Sequence, residues 1–350
     1  MKALIIEAPG VALFTERPKP EPGPRDVVSR VVYSGICGTD QGIFSGAVSF
    51  AKDGSVKFPV RAGHEWSGVV ESIGADVSAF KPGDRVVSDT GVSCGECANC
   101  VNGDIYNCRN SRPLGTINSW YYGSFAEYIL IPEWNMHHLD DRISLKQAAL
   151  IEPATIGMAG VCAAGVEEGD SVLITGTGAV GLSAAAVAKA FGAKRVFIAG
   201  RKPFKLETGL KIGADTAINL TESESMSAIV MRETDGKGVS KIVETSGSAQ
   251  VFDQVLDCAG RCCSVALVGF YEDKFNECFN LDRIVLKNMV IRGVTGMPLT
   301  RQVMELMANG TVDLNPLITS IFPAEKAVEV FTTAKKRSAE NIKILIQMTG

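Results

Sequence analysis

Apolar and polar positions follow two rhythms along the chain, and the change comes near residue 152. Before it, short β-rich runs are cut by turns. Val27-Val28-Ser29-Arg30-Val31-Val32-Tyr33 leads into Ser34-Gly35-Ile36-Cys37-Gly38-Thr39-Asp40, the apolar run 67–73 stops at Gly74, and Pro82-Gly83-Asp84 turns the chain into Arg85-Val86-Val87. Runs of this length, bounded by glycine and proline, predict a partly closed β domain. After residue 152, strand, glycine turn and helix alternate. Ser171-Val172-Leu173-Ile174-Thr175 reads as a strand, the alanine-rich 182–191 as a helix, and Arg195-Val196-Phe197-Ile198-Ala199 as the next strand, with more at Lys241-Ile242-Val243, 264–268 and 289–291. That alternation predicts a doubly wound parallel sheet. From about Thr295 the tail returns to helix, loop and a last strand at 342–347. The expected organisation is therefore α/β: a β domain from 1–151 and 295–350 around a sheet domain at 152–294, closely packed because no low-complexity linker intervenes.

A length of 350 residues suits about two such domains. A composition 46% hydrophobic and 21% charged is that of a globular protein with a real core. The formal net charge of -4 supplies neither a basic field for nucleic acid nor a polybasic membrane anchor. The apolar stretch 156–190 is broken by Glu167, Glu168, Asp170 and glycines, so it does not read as a membrane span. The start, Met1-Lys2-Ala3-Leu4-Ile5-Ile6-Glu7, is unlike a secretory signal. Ten cysteines without such a signal point to the reducing cytoplasm, where thiolates bind metals more often than they form disulfides.

Two sets of metal-type residues stand out. Cys94, Cys97, Cys100 and Cys108 read C-x2-C-x2-C-x7-C in a lobe at about 92–110, and four thiolates close a tetrahedral zinc shell with no vacancy. Ferredoxin-type iron–sulfur sites begin in the same way but continue x3-C-P; here the fourth cysteine comes later and Arg109 follows it, which favours zinc. Glu96 and Asp104 in the lobe argue against a nucleic-acid ribbon. Cys37, His64, Glu65 and Glu152 form a mixed set that leaves a coordination position open if it converges, as catalysis requires. Singly these are weak, since a lone cysteine is usually packing and a lone glutamate a surface group. His64 is the strongest, because the only other histidines, His137 and His138, are adjacent in an expected loop. Cys162, Cys258, Cys262, Cys263 and Cys278 read as core or free thiols.

Gly176-Thr177-Gly178-Ala179-Val180-Gly181 matches G-x-G-x-x-G between a strand and a helix, the context that gives this pattern meaning. Gly176 permits the turn, Gly178 lets backbone approach a pyrophosphate, Gly181 lets the helix lie on the strand, and the helix start at Ala179 and Val180 favours phosphate. At the end of the next strand, where an acid would bind a ribose 2′-hydroxyl, stand Gly200, Arg201 and Lys202. They are either a solvated basic turn or a pocket for a 2′-phosphate.

Together these residues resemble the zinc-dependent medium-chain alcohol/polyol dehydrogenases, across essentially the whole chain. The matching segments are Gly35-Ile36-Cys37-Gly38-Thr39-Asp40, Gly63-His64-Glu65-Trp66-Ser67-Gly68, the four-cysteine lobe, Gly123-Ser124-Phe125-Ala126-Glu127-Tyr128, Ile151-Glu152-Pro153 and the glycine turn. Cys-Gly-Thr-Asp together with Glu-Pro is similar to the sorbitol, threonine and sugar-acid branch. The resemblance implies a GroES-like, partly closed β-barrel domain plus a Rossmann domain. It implies two zinc ions per chain, with Cys37 and His64 as direct catalytic ligands and Glu65 and Glu152 as ligands or groups exchanging with water. Thr39 would pass the substrate proton toward the cofactor ribose, and Gly42 replaces the histidine that ends this relay in many relatives. The implied reaction is hydride transfer between a secondary alcohol, of polyol, sugar-acid or sugar-phosphate type, and NADP(H), with NAD possible. The alternatives are a zinc dehydrogenase of small secondary alcohols and ketones, an NAD-dependent polyol dehydrogenase, or a non-enzymatic NADP sensor. The implied partners are the alcohol or ketone itself and further copies of the chain, as homodimer or homotetramer.

Overall fold

The computed structural model describes residues 1–116, 122–271, 280–334 and 341–350. Cys278 and residues 117–121 lie outside the described residues. Two compact units result, Met1–Glu152 with Ile318–Gly350, and Pro153–Leu317. The return to the first unit comes at Ile318 rather than near residue 295. The helix Thr300–Ala308, with Val303 and Met304 buried, stays with the second unit.

The strands of the first unit are β1 (Lys2–Ala8), β2 (Val11–Glu16), β3 (Asp26–Gly35), β4 (Glu65–Ile73), β5 (Arg85–Ser88), β6 (Gly91–Val92), β7 (Arg112–Pro113), β8 (Tyr128–Pro132) and β9 (Met136–His138). The second unit holds β10 (Ser171–Thr175), β11 (Arg195–Gly200), β12 (Thr216–Asn219), β13 (Val239–Glu244), β14 (Ala259–Leu267) and β15 (Val290–Gly293). β16 (Ile318–Pro323) and β17 (Lys343–Gln347) return to the first.

In the first unit, β16-β17-β3-β4-β5-β9 lie side by side and β8 pairs with β3 to complete a seven-stranded sheet. β3 is its hub, antiparallel to β4, β8 and β17. Its Val27, Val28 and Val31 are fully buried, and the surrounding core includes Leu4, Phe125 and Phe331. Gly35 pairs with Glu65 on one side and Leu345 on the other, so the end of β3, the start of β4 and the start of β17 share one corner. The local signals hold over most of this unit, with one clear exception: His137 and His138 are not in a loop. They form β9, whose three residues pair with β5 and are too few to show a period.

The second unit is a six-stranded sheet in the order β12-β11-β10-β13-β14-β15, all parallel. That is the doubly wound arrangement, with the first βα turn following its central strand. Val172, Leu173 and Ile174 of β10 are wholly buried, as a strand covered by helices on both faces requires. Among the described residues no helix is long and apolar enough to cross a membrane.

Candidate functional site

The four cysteines of the lobe converge. Sγ–Sγ separations are 3.5 Å for Cys97–Cys100 and Cys94–Cys108, 3.9 Å for Cys97–Cys108 and 4.0 Å for Cys94–Cys100. A tetrahedron with metal–sulfur bonds of about 2.3 Å has edges of about 3.8 Å, whereas a disulfide would need about 2.05 Å. The donor set and its spacing fit one zinc ion. Backbone N–H groups shape the cage: Cys94 N donates to Cys108 Sγ at 3.3 Å and Cys97 N to Cys94 Sγ at 3.4 Å. Backbone donors at Cys100 and Arg109 pull the Cys97 thiol down to about 6, while burial pushes Cys100 up to about 12. The lobe is moored by Trp134, whose Nε1 donates to Ser93 O at 3.1 Å, and by Asn135, which accepts from Ser93 N at 3.1 Å.

A second cluster forms at the shared corner of the sheet. Cys37, His64 and Glu65 each bring a ligand atom within 4.8 Å of the others. Cys37 precedes the helix Gly38–Ser45, and its N–H donates to Asp40 Oδ2 at 2.9 Å. Asp40 is fully buried, accepts from Gly63 N through Oδ1 at 3.1 Å, and places that oxygen 3.6 Å from His64 Nδ1. One carboxylate thus ties the two ligand segments together. Burial opposes charge on His64, but Asp40 and the Cys37 sulfur outweigh it and raise the imidazole well above its usual range. His64 Nδ1 is buried without a hydrogen bond, and a thiol, an imidazole and a carboxylate gathered in this way suit zinc.

Glu65 is 1% exposed and has a buried counter-ion, Lys343, whose Nζ lies 2.6 Å from Oε1 and also donates to Ile36 O at 3.1 Å. The carboxylate occupies space left by Gly35, where a Cβ would fall 3.1 Å from the Glu65 Cβ and onto Oε2. Glu152 is not part of the group within 4.8 Å. It opens the helix Ile151–Ala164 and accepts from Thr90 Oγ1 at 3.2 Å; burial pushes its carboxyl up to about 7 despite the nearby His64. Thr39 lies in the first turn after Cys37, half-buried. Gly42 is sealed: a Cβ there would collide with Val48 Cγ1, so this position has no room for a histidine unless Val48 moves.

Asp40, Thr90 and Lys343 carry no expected role in the sequence reading, although two had a signal. Cys37-x-x-Asp40 has the i, i+3 spacing of a helix cap. Lys343 is a lone charge in the apolar run Ile342-Lys343-Ile344-Leu345-Ile346, and such charges are almost never buried unless paired.

In the second unit, the glycine turn sits between β10 and the helix Ala179–Ala190. Gly176 has φ +98°, and a Cβ on Gly181 would sit 2.7 Å from Thr245 Oγ1, so both are sterically required. Gly178 caps the helix with no side-chain hydrogen bond, and a Cβ there would meet nothing within 4 Å. Uncapped N–H groups facing open space are what a pyrophosphate needs. Gly200 ends β11; a Cβ there would lie 2.7 Å from Thr177 Oγ1 and closer still to its methyl group. Arg201 and Lys202 are exposed. Lys205 follows half-buried, its ammonium lowered by burial and by the charge of Lys202.

A β unit carrying one closed and one mixed metal-type cluster, joined in one chain to a parallel sheet with a phosphate-ready turn, defines a zinc-type, dinucleotide-using oxidoreductase. Residues 23–141 match the alcohol dehydrogenase GroES-like domain, and residues 179–309 the zinc-binding dehydrogenase domain. The chain is 32% identical to an L-threonine 3-dehydrogenase of Anaeromyxobacter sp. (strain Fw109-5) over 351 residues, 99% of both chains. It superposes on a Sinorhizobium meliloti 1021 protein, described as a zinc-binding dehydrogenase and solved bound to NADP, with a TM-score of 0.88 at 26% identity, covering 99% of this chain and 98% of that one. Galactitol-1-phosphate dehydrogenase from Escherichia coli gives 0.86 at 25% identity, covering 99% and 100%. The chain belongs to the zinc-dependent medium-chain alcohol dehydrogenase family, and it is an oxidoreductase acting on CH–OH donors.

Proposed function

We propose that this dehydrogenase transfers a hydride between a secondary alcohol of polyol, sugar-acid or sugar-phosphate type and NADP(H). The observation that carries the reading is the convergence of Cys37, His64 and Glu65 on one point. In this proposal Cys37 and His64 hold the catalytic zinc, and Glu65 and Glu152 act as ligands or exchange with water. Each carboxylate has a resting partner to return to, Lys343 for Glu65 and Thr90 for Glu152. Cys94, Cys97, Cys100 and Cys108 hold a second, structural zinc. When bound, zinc acts as a Lewis acid toward the substrate hydroxyl and the nicotinamide accepts hydride. The Thr39 hydroxyl would relay the substrate proton toward the cofactor ribose, releasing its own proton as it accepts that one. With Val48 filling the space beside Gly42, that proton leaves by solvent or another group rather than through residue 42.

The dinucleotide rests on Gly176, Gly178, Ala179, Val180 and Gly181. Preference for NADP is supported by three features: no acid at Gly200, no room for one beside Thr177, and the basic run Arg201, Lys202 and Lys205. The neighbour solved with NADP bound is in accord with it. The chain functions as a homodimer or homotetramer in the cytoplasm, where the clustered thiols stay reduced.

The test is a kinetic panel with zinc-loaded protein and each cofactor, over polyols, aldonic acids, polyol phosphates and simple secondary alcohols. L-Threonine belongs on the panel because relatives are named for it. His64→Ala should abolish turnover while the variant still binds NADPH; normal turnover would overturn the site. Failure of every alcohol despite bound zinc would revive a nucleotide sensor.

A further inference from the structure

Among the described residues Arg61 is a cation without a counter-ion. It is 5% exposed, and its Nε is buried with no hydrogen-bond partner. Among the described residues no carboxylate pairs with it. Its one charged-group contact is aromatic: the guanidinium carbon lies 4.9 Å from the centroid of the Tyr122 ring, which accepts none of its in-plane N–H donors. Burial lowers the guanidinium to about 10, which leaves it charged at neutral pH. Nothing in the fold asks for that charge. Its neighbours Val60 and Ala62 are buried in the apolar core, and a methionine of similar length would occupy the same volume without the cost of a desolvated, unpaired ion.

Its place in the chain is fixed by the same bonds that build the metal-type cluster. Gly123 N donates to Arg61 O at 2.9 Å, Phe125 N to Ala62 O at 3.1 Å and Ser124 N to Gly63 O at 2.9 Å, while Gly63 N is held by Asp40. His64 is three residues further on, so the two Cα atoms lie within about 10 Å of each other.

We propose that Arg61 binds an anionic group, a carboxylate or a phosphate, carried by the substrate whose reacting hydroxyl lies at the Cys37–His64 cluster. This rests on the reading of that cluster as the catalytic centre. A guanidinium presents a planar fork that matches either anion with two parallel hydrogen bonds, and the bound anion supplies the charge that the protein lacks there. Arg61 therefore selects sugar acids, hydroxy acids or polyol phosphates over neutral polyols and simple alcohols.

The experiment uses the full-length, zinc-loaded chain with Arg61→Met and Arg61→Lys. Thermal melting is measured with inorganic phosphate, acetate or chloride at matched ionic strength. Kinetics compare each polyol phosphate and each aldonate with its neutral parent polyol. Wild type should favour one charged class roughly tenfold to a hundredfold, mainly through KM. That ratio should collapse toward one in Arg61→Met and partly recover in Arg61→Lys. Phosphate or acetate should raise the wild-type melting temperature more than chloride does, and the stronger of the two arms identifies the anion; the gain should vanish in Arg61→Met. An unchanged charged-to-neutral ratio in Arg61→Met, with lower melting temperature, would make Arg61 a packing residue and overturn the proposal. If no alcohol is turned over, protection by phosphate or acetate that Arg61→Met loses would keep the anion site and reject the dehydrogenase reading. Equal protection of both proteins would reject the anion site.

Discussion

Gly200 is a glycine because Thr177 fills the volume a side chain would need. An aspartate at 200 is the obvious route to NAD preference, since it would accept the ribose diol and repel a 2′-phosphate. Introduced alone it would collide with Thr177. Gly200→Asp should therefore weaken NADPH binding at least tenfold without improving NADH binding. The double change Thr177→Ala with Gly200→Asp should move preference to NADH. Calorimetric titration with both reduced cofactors reads this directly, and a single Gly200→Asp that binds NADH tightly would show that Thr177 yields without cost. At the proposed catalytic cluster, Thr39→Val should slow oxidation by about 10²–10⁴-fold, the usual loss of a positioned proton-transfer group. Because Val48 blocks any relay through residue 42, small buffers should restore part of that rate. A full rate in the valine variant would reduce Thr39 to packing. The Glu65–Lys343 pair makes a third prediction. Both groups are almost wholly buried, so Lys343→Met should cost about 3–5 kcal/mol by stranding a carboxylate. Glu65→Leu added to it should recover much of that loss, and simple additivity in denaturant unfolding would show that the pair is not coupled.

At the scale of elements, the lobe between β6 and β7 depends on its four sulfurs more than on its own packing. It contains only the short helix Ala98–Val101 and a three-residue turn, and Val101 and Tyr106 are exposed. With one zinc in each cluster, as proposed, Cys94→Ser should lower the zinc content by about one ion per chain and reduce the melting temperature, while dinucleotide binding persists. Metal analysis with a melting curve checks both; retention of two ions would show that the remaining three sulfurs suffice. This lobe and the glycine turn were legible in the sequence because their ligands or glycines lie within a few residues of one another, where spacing alone fixes geometry. β10 and β11 were legible for a related reason: strands buried on both faces leave continuous apolar runs. What local reading missed lies across the sheet. Glu65 meets Lys343 only because β17 and β4 both flank β3, and no local pattern connects residues 65 and 343. β9 was missed because its two histidines are placed by pairing with β5, not by a period of their own. Asp40 was visible as part of a motif, but its grip on Gly63 needs the loop before β4 to close on the helix Gly38–Ser45.

For the whole molecule, the second unit carries a feature that a lone chain leaves exposed. β15 ends the parallel sheet and, among the described residues, no strand pairs with its outer edge. Next to it are Leu281, Val285 and Leu286 on the helix Asp282–Leu286 and the turn before it, with Val290 on the strand itself; each is more than half exposed. An unpaired, apolar sheet edge is a template for another strand, and natural monomers usually blunt it with charge or proline. β15 offers one Arg292 and no proline. A second copy related by a two-fold axis would set β15 against its own counterpart in antiparallel pairing and cover the neighbouring apolar side chains, an isologous contact that closes on itself. The chain should therefore run as a dimer or larger even-numbered assembly in light scattering. Val290→Lys combined with Leu286→Glu should shift it toward monomer by placing two desolvated charges against their own copies. Both substitutions lie outside the metal-type clusters and the glycine turn, so zinc content should stay at the wild-type value. A wild type that is monomeric at micromolar concentration would assign the exposed edge to a different partner or to none.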